Sequence, residues 1–118
     1  MAPRIISLSG SVESESSAPA PDRLIAGDPR QTVSNYFADG TQQFFAGRWS
    51  STRGTWRVRY SEDELCVMTS GRVVITAEDG TAHTFVGGDA FVVPAGFSGT
   101  WTVLEDCTKI YALFEART

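Results

Sequence analysis

A short stretch of the chain places an acid–base group of side chains at regular spacing. Tyr60, Glu62 and Glu64 are each two positions apart, so on an extended strand the two carboxylates point to the same face. Lys109 is a candidate counter-charge to Glu62 or Glu64, because an unpaired charge in an apolar interior is very costly. A carboxylate and a lysine that shift each other's pKa can transfer protons. Glu64, Lys109 and Tyr60 are therefore the candidate catalytic residues.

Aromatic residues accompany these charges. The segment from Thr55 to Tyr60 alternates, with Trp56 on the face of Tyr60 and arginines on the opposite face. Indole and phenol rings supply stacking surfaces and hydrogen bonds to a polar ligand. The same residues would equally form a buried ion pair that only specifies the interior, and both interpretations remain open. The predicted ligand-binding residues are Trp56, Tyr60, Glu62, Glu64, Trp101 and Lys109.

The composition limits the classes of function. The chain has 118 residues, which suggests one domain, and a formal net charge of −4. An acidic balance argues against nucleic-acid and anionic-membrane partners, since both require clustered cations. Two cysteines do not make a disulfide framework. With no apolar stretch near 18 residues and no leader-like segment, we expect a cytoplasmic location.

The elements that position these residues are short strands. Residues 1–22 are predicted to be a flexible arm, since small, polar and proline-bearing residues cannot offset the entropy of folding, and residues 23–118 to be a β-barrel domain. No window sustains a helical period. Asp79-Gly80 between two β-branched runs predicts a tight hairpin. The strands predicted in this domain include Glu64–Thr69, Arg72–Ala77, Thr100–Leu104 and Lys109–Phe114.

Two glycine-anchored motifs resemble those of the cupin superfamily. Glu64 is followed seven residues later by Gly71, and Gly88, Pro94 and Gly96 follow the second motif's spacing. Within the superfamily the chain is similar to the small single-domain cupin-3 group, which includes the ethanolamine-utilisation Q and (S)-ureidoglycine aminohydrolase-like cupins. The resemblance implies an all-β, RmlC-like jelly-roll barrel.

The resemblance also indicates what the chain lacks. A metal-binding cupin would carry histidines at the positions of Val58, Tyr60 and Gly99, and of the four usual ligands only Glu64 remains. One carboxylate and one phenol do not meet the needs of a transition metal, so no metal and no cofactor are predicted. A hard cation held by Glu62 and Glu64 stays open as an alternative. The absent imidazole at Gly99 is expected to leave space at the barrel mouth.

We therefore expect a cupin that binds a small polar metabolite in its barrel without the usual histidine-coordinated metal. One alternative is a metal-dependent aminohydrolase-like enzyme of ureidoglycine type. Another is a non-catalytic accessory module that works as a homodimer, with Ile5, Ile6 and Leu8 offering an edge strand. Whether the protein is an enzyme is left open.

Overall fold

The computed structural model describes residues 2–117, in which all regular structure is β-strand. This confirms the predicted all-β fold, in which apolar and β-branched residues alternate over short runs. No helix in this range could cross a membrane. The nine strands are β1 (Glu15–Ser17), β2 (Leu24–Gly27), β3 (Gln31–Ala38), β4 (Phe44–Ser51), β5 (Gly54–Arg59), β6 (Asp63–Ala77), β7 (Ala82–Val86), β8 (Ala90–Val93) and β9 (Ser98–Phe114).

The long strand β9 organises the sheet. Its first half pairs with β5 and with the second half of β6, and its second half pairs with β4 and with the first half of β6. The remaining strands extend these pairings in an antiparallel sense, with β3 on β4, β2 on β5, and β7 and β8 on β6. The sheet therefore curls around β9, and its inner face forms the core.

Two strand breaks predicted from the sequence are wrong. The segments from Glu64 to Thr69 and from Arg72 to Ala77 form one strand, β6, and the segments from Thr100 to Leu104 and from Lys109 to Phe114 form one strand, β9. The glycine and polar residues between the segments instead mark register irregularities, which the pairing of β6 with β9 shows between Met68 and Val73. Such irregularities bend a strand without ending it.

The segment before residue 23 lies partly against the sheet. Its strand β1 pairs with β3, and the Tyr36 hydroxyl donates a hydrogen bond of 2.7 Å to the Gly10 carbonyl. The predicted domain boundary at residue 22 and the mobility of the arm stay predictions. The homodimer also stays a prediction; the outer sheet face carries exposed apolar side chains at Leu65, Val92 and Phe114.

The core follows the alternation of the strands. Trp56 on β5 and Trp101 and Val103 on β9 are buried, whereas Arg57 is exposed. The predicted Asp79-Gly80 hairpin is present between β6 and β7, with the Thr81 amide bonded to the Asp79 carboxylate at 2.9 Å. The core cluster consists of Trp56, Met68, Val73, Ile75, Trp101, Val103 and Cys107.

Gly71 is a point at which the fold tolerates no side chain. Its φ is +89°, and a Cβ there would lie 2.5 Å from the Asp106 carbonyl oxygen. We predict that Gly71→Ala lowers the free energy of unfolding by about 2–4 kcal/mol, because a left-handed alanine and a collision add together. Urea unfolding measures this loss. A Cβ at Gly40 meets nothing within 4 Å, so Gly40→Ala should stay within about 0.5 kcal/mol of the parent. Equal values for both variants would contradict the argument.

Candidate ligand-binding cleft

A buried ion pair lies at the centre of the candidate site. Lys109 on β9 places its Nζ 2.8 Å from Oε2 of Glu64 on β6, and their side chains are only 5% and 9% exposed. The sequence left the partner of Lys109 open between Glu62 and Glu64, and the structure selects Glu64. In the antiparallel pairing of β6 with β9, Met68 lies opposite Lys109 and Glu64 lies opposite Leu113. Glu64 and Lys109 therefore share the inner face, and the long lysine side chain reaches along it to the carboxylate.

Two indole rings enclose the lysine ammonium. Lys109 Nζ is 4.6 Å from the ring centroid of Trp49 and 4.5 Å from that of Trp101, within the range of a cation–π interaction. The two rings meet edge to face at 5.6 Å, and Trp56 stacks on Trp101 at 6.3 Å. The ammonium is therefore held by a carboxylate on one side and by aromatic faces on others.

This environment alters the titration of the buried groups. Burial, the largest single effect, lowers the pKa of Lys109, but the Glu64 carboxylate and Cys66 together outweigh it, and the net shift is upward. The Cys66 thiol lies 3.5 Å from Lys109 Nζ, and burial raises its pKa to about 12. Lys109 is thus kept as an ammonium, and Cys66 as a neutral thiol, around neutral pH.

Trp101 carries a buried donor without a partner. Its Nε1 is the one buried side-chain nitrogen or oxygen in residues 2–117 that has no hydrogen-bond partner. The Tyr60 phenol lies near this indole, but the two groups do not meet the geometry of a hydrogen bond. The nearby indole N–H lowers the pKa of Tyr60, against the larger effects that raise it. Burial, followed by the Glu64 charge, raises the pKa of Tyr60 and keeps the phenol neutral. The indole N–H is therefore a buried donor that the fold leaves unsatisfied.

These groups line an open cleft of about 800 Å³. Every residue predicted from the sequence to contact a ligand lies along it: Trp56, Tyr60, Glu62, Glu64, Trp101 and Lys109. Three residues that were not predicted from the sequence also line it: Trp49, Tyr111 and Asn35. Tyr111 donates a 2.6 Å hydrogen bond to Asn35, and burial, with the Glu64 charge, raises its pKa to about 12. Tyr111 was detectable, because it follows Lys109 by two positions on the same strand face.

A second group of carboxylates surrounds one serine hydroxyl. Ser61 Oγ lies 3.0 Å from Glu62 and 2.5 Å from Glu115, both of which line the cleft. Burial, followed by the charges of Glu115 and Glu64, raises the pKa of Glu62, against the opposing hydrogen bond from Ser61. Because one hydroxyl has one proton to donate, Ser61 can donate to only one of these carboxylates at a time.

The residues present do not fit the metal of a histidine-ligated cupin. Val58 offers no donor, and a Cβ at Gly99 would collide with the Thr76 carbonyl oxygen. The expectation that Gly99 leaves space is therefore wrong: the position is filled by backbone, so no imidazole fits there. In the described range, no group of three or more His, Cys, Asp or Glu side chains could hold a metal. His83 is exposed on β7, stacked near Phe85.

The curled antiparallel sheet and its two glycine-anchored motifs define a cupin. A family model described as the EutQ-like cupin domain matches residues 38–111, and the chain belongs to this family. The matched range contains most of the cleft residues, including Glu64 and Lys109. The predicted cupin-3 resemblance is thereby confirmed.

Solved structures agree on the fold. A Pseudomonas syringae pv. tomato protein of unknown function from the DUF861 family superposes with a TM-score of 0.76 at 28% identity, over 93% of this chain and 44% of that one. The Clostridium difficile EutQ protein superposes with a TM-score of 0.67 at 17% identity, over 75% of this chain and 64% of that one. A Thermotoga maritima DUF861 family protein superposes with a TM-score of 0.56 at 23% identity, over 86% of this chain and 100% of that one. The chain thus spans less than two thirds of the first two proteins. No curated protein sequence matches it.

The buried pair generates a prediction on stability. Lys109→Met leaves the Glu64 charge buried without a partner, so we expect a loss of about 3–5 kcal/mol in the free energy of unfolding. The double variant Glu64→Gln/Lys109→Met should recover at least half of that loss, because neither charge remains. Urea unfolding of the parent, both single variants and the double variant gives the coupling energy.

The exposed pair of Arg72 and Glu105, separated by 2.9 Å, provides the matched control. Removing Arg72 should change the free energy of unfolding by no more than about 1 kcal/mol, because solvent screens the pair. A coupling energy for the buried pair no larger than that of the exposed pair would contradict the interpretation.

The raised pKa values predict loss of stability in alkali. Above pH about 9 an unfolded chain ionises Cys66, whose ordinary pKa is 9.0, while the folded chain keeps it protonated up to about 12. Lys109 acts in the same direction above 10.5, since its raised pKa retains a proton that the unfolded chain loses. The free energy of unfolding should thus keep its contribution from these groups below pH about 9 and decrease above it, by up to about 1.4 kcal/mol per pH unit for each group. Urea midpoints measured up to pH about 11 test this; Cys66→Ala should delay the decline, and a flat profile would contradict it.

Proposed function

We propose that this cupin binds a small polar metabolite in the cleft above the Glu64–Lys109 pair, without a metal ion. The observation that carries the proposal is the position of the pair: it lies against an open cleft of about 800 Å³ rather than in a closed core. Clefts of about 300–1,000 Å³ with apolar walls and a few converging polar groups are typical of small-molecule sites.

Each side chain has a role in this proposal. Lys109 bonds Glu64 through one carboxylate oxygen, Oε2, and the other oxygen accepts a hydrogen bond from the ligand. The unpartnered Trp101 N–H donates to an acceptor of the ligand, and Trp56 and Tyr60 contribute aromatic and phenolic surface. Binding in this way satisfies a buried donor whose loss of hydration otherwise costs about 1–3 kcal/mol.

The same group of residues would extend binding to proton transfer. Glu64 is the candidate base, Tyr60 a candidate acid whose phenol stays protonated, and Lys109 the counter-charge paired with Glu64. A metal-dependent aminohydrolase of ureidoglycine type has less support, because the donors that would hold its metal are missing at Val58 and Gly99.

Thermal unfolding with a panel of anionic, cationic and neutral metabolites tests the proposal. A ligand at ten times its Kd adds about 1.4 kcal/mol, which raises the melting temperature by roughly 5 °C in a chain of this size. The variant Glu64→Gln/Lys109→Met should lose this response, because it removes the carboxylate that accepts the ligand's hydrogen bond together with its counter-charge.

The control variant Arg72→Met/Glu105→Gln removes an exposed ion pair outside the cleft and should respond as the parent does. Binding that is equal in all three proteins would place the ligand elsewhere, and a panel without any response would remove the support for a ligand. Stoichiometric manganese, zinc or nickel in the purified protein would favour the metal-dependent alternative.

A further inference from the structure

The outer face of the sheet carries an apolar row that crosses five strands. Side chains alternate along each strand, so the neighbours of the buried Glu64 and Tyr111 point away from the cleft. With strands about 4.8 Å apart, a row of five strands is about 19 Å long. Direct cross-strand partners on β8, β6, β9, β4 and β3 form this row: Val92, Leu65, Ala112, Ala46 and Phe37.

Two phenylalanines beside this row widen it into a patch. Phe44 on β4 lies opposite Phe114 on β9, and the rings of Phe44 and Phe37 are 6.1 Å apart. Phe114 is also the diagonal neighbour of Leu65, because Leu65 lies opposite Ala112, two positions before Phe114. The exposed members of this surface, called here the outer patch, are Val92, Leu65, Phe37, Phe44 and Phe114.

The exposed area of the outer patch is large enough for the core of a protein–protein interface. Its five side chains are between 37% and 60% exposed. Aromatic side chains present about 150–250 Å² and aliphatic ones somewhat less, so the patch exposes roughly 400 Å² of apolar surface. A stable interface buries about 800 Å² on each partner, of which about 56–65% is apolar. The partly exposed Val67, Ile110 and Ala112 adjoin the patch and supply further apolar area.

The charges beside the outer patch do not oppose a second copy of the chain. Arg48 and Asp63 flank the patch on the same face, and both are engaged within their own chain. The Arg48 guanidinium donates to the Leu8 carbonyl, and the Asp63 carboxylate accepts a 2.8 Å hydrogen bond from the Ala95 amide. The patch itself contains no charge. Complementary charges usually select a different partner, whereas an uncharged apolar face can pack on an identical face about a two-fold axis.

The N-terminal arm is less suited to this contact, because its backbone is bonded within its own chain. Strand β1 pairs with β3, the Tyr36 hydroxyl donates to the Gly10 carbonyl, and Arg48 donates to the Leu8 carbonyl. Exchange of the arm between two copies would break these hydrogen bonds. The outer patch requires no such change, since its side chains are already exposed in the single chain.

We propose that the outer patch is the contact between two copies of this chain, related by a two-fold axis that passes through the patch. The two sheets pack face to face, about 10 Å apart, and remove the apolar side chains of both patches from water. The cleft lies on the inner face of the sheet and contains none of the patch residues. Both clefts of the dimer therefore stay open, and this inference does not depend on the proposed function.

Sedimentation equilibrium of the full chain at micromolar concentrations tests the proposal. The parent should have twice the 12.8 kDa mass of a single chain. The variant Leu65→Lys/Val92→Glu should raise the Kd of the dimer at least about 100-fold, because association would then bury charged side chains. The two new side chains lie opposite each other on β6 and β8 and can pair in the folded monomer. Far-UV circular dichroism and urea unfolding check that the variant folds.

Further variants separate the outer patch from other apolar surface. Phe37→Ser/Phe44→Ser changes the other side of the patch and should also yield a monomer, which keeps the test open if the first variant does not fold. Leu104→Gln is the matched control, because Leu104 is 47% exposed on β9 but lies eight positions before Ala112. It should remain as dimeric as the parent, and so should the arm variant Ile5→Ser/Ile6→Ser.

Several outcomes would overturn the proposal. A monomeric parent would do so, since the patch would then serve a different partner or none. A dimer that persists unchanged in folded variants of the patch would place the contact elsewhere. Dissociation in the arm variant, with the patch variants still dimeric, would assign the contact to the arm. The thermal response to the metabolite panel should be the same in the monomeric variants as in the parent, so loss of the dimer and failure of the proposed function are distinguishable.

Discussion

The contact between the Lys109 ammonium and the Glu64 carboxylate is the interaction on which the interior of this barrel depends. A single charge left in that position would be very costly, so β6 and β9 must pair in the register that brings the two side chains together. A slip of one residue would turn each of them to the opposite face. The pair therefore imposes a register that apolar side chains alone would specify less strictly. Trp49 meets the same lysine through a different register, that of β4 with β9, in which it lies opposite Lys109.

The ammonium also changes what the retained glutamate can do. In the histidine-ligated cupins that the two motifs resemble, this glutamate would share a metal ion with imidazoles. Here the cation beside Glu64 is the ammonium group of Lys109, a side chain of the same protein. A metal offers open coordination positions to a ligand, but an ammonium between a carboxylate and two indole faces offers only its remaining N–H groups. The interactions that this pair offers to the cleft are therefore hydrogen bonding and ion pairing.

Alternation within one strand predicted much of this site, and pairing between strands determined the rest. The positions of Trp56 and Tyr60 follow from the period of two, and the inward glutamate follows from its glycine-anchored motif. The choice of Glu64 over Glu62 for Lys109 depends on cross-strand register, which a single sequence does not encode locally. The enclosure of the ammonium by Trp49 was missed for the same reason. The filled space at Gly99 was also missed, because it arises from the approach of the Thr76 backbone on another strand.

Stability alone does not account for this interior. A buried ion pair is often no more stabilising than apolar side chains of the same volume, and a buried indole N–H without a partner lowers stability further. Both features lie in one cleft, next to aromatic walls. Destabilising polar groups that converge on an accessible space are the arrangement expected where stability has been exchanged for a binding site. The unpartnered Trp101 donor is a cost that the fold carries in the free protein, and under the proposed function an acceptor atom of the ligand would remove that cost.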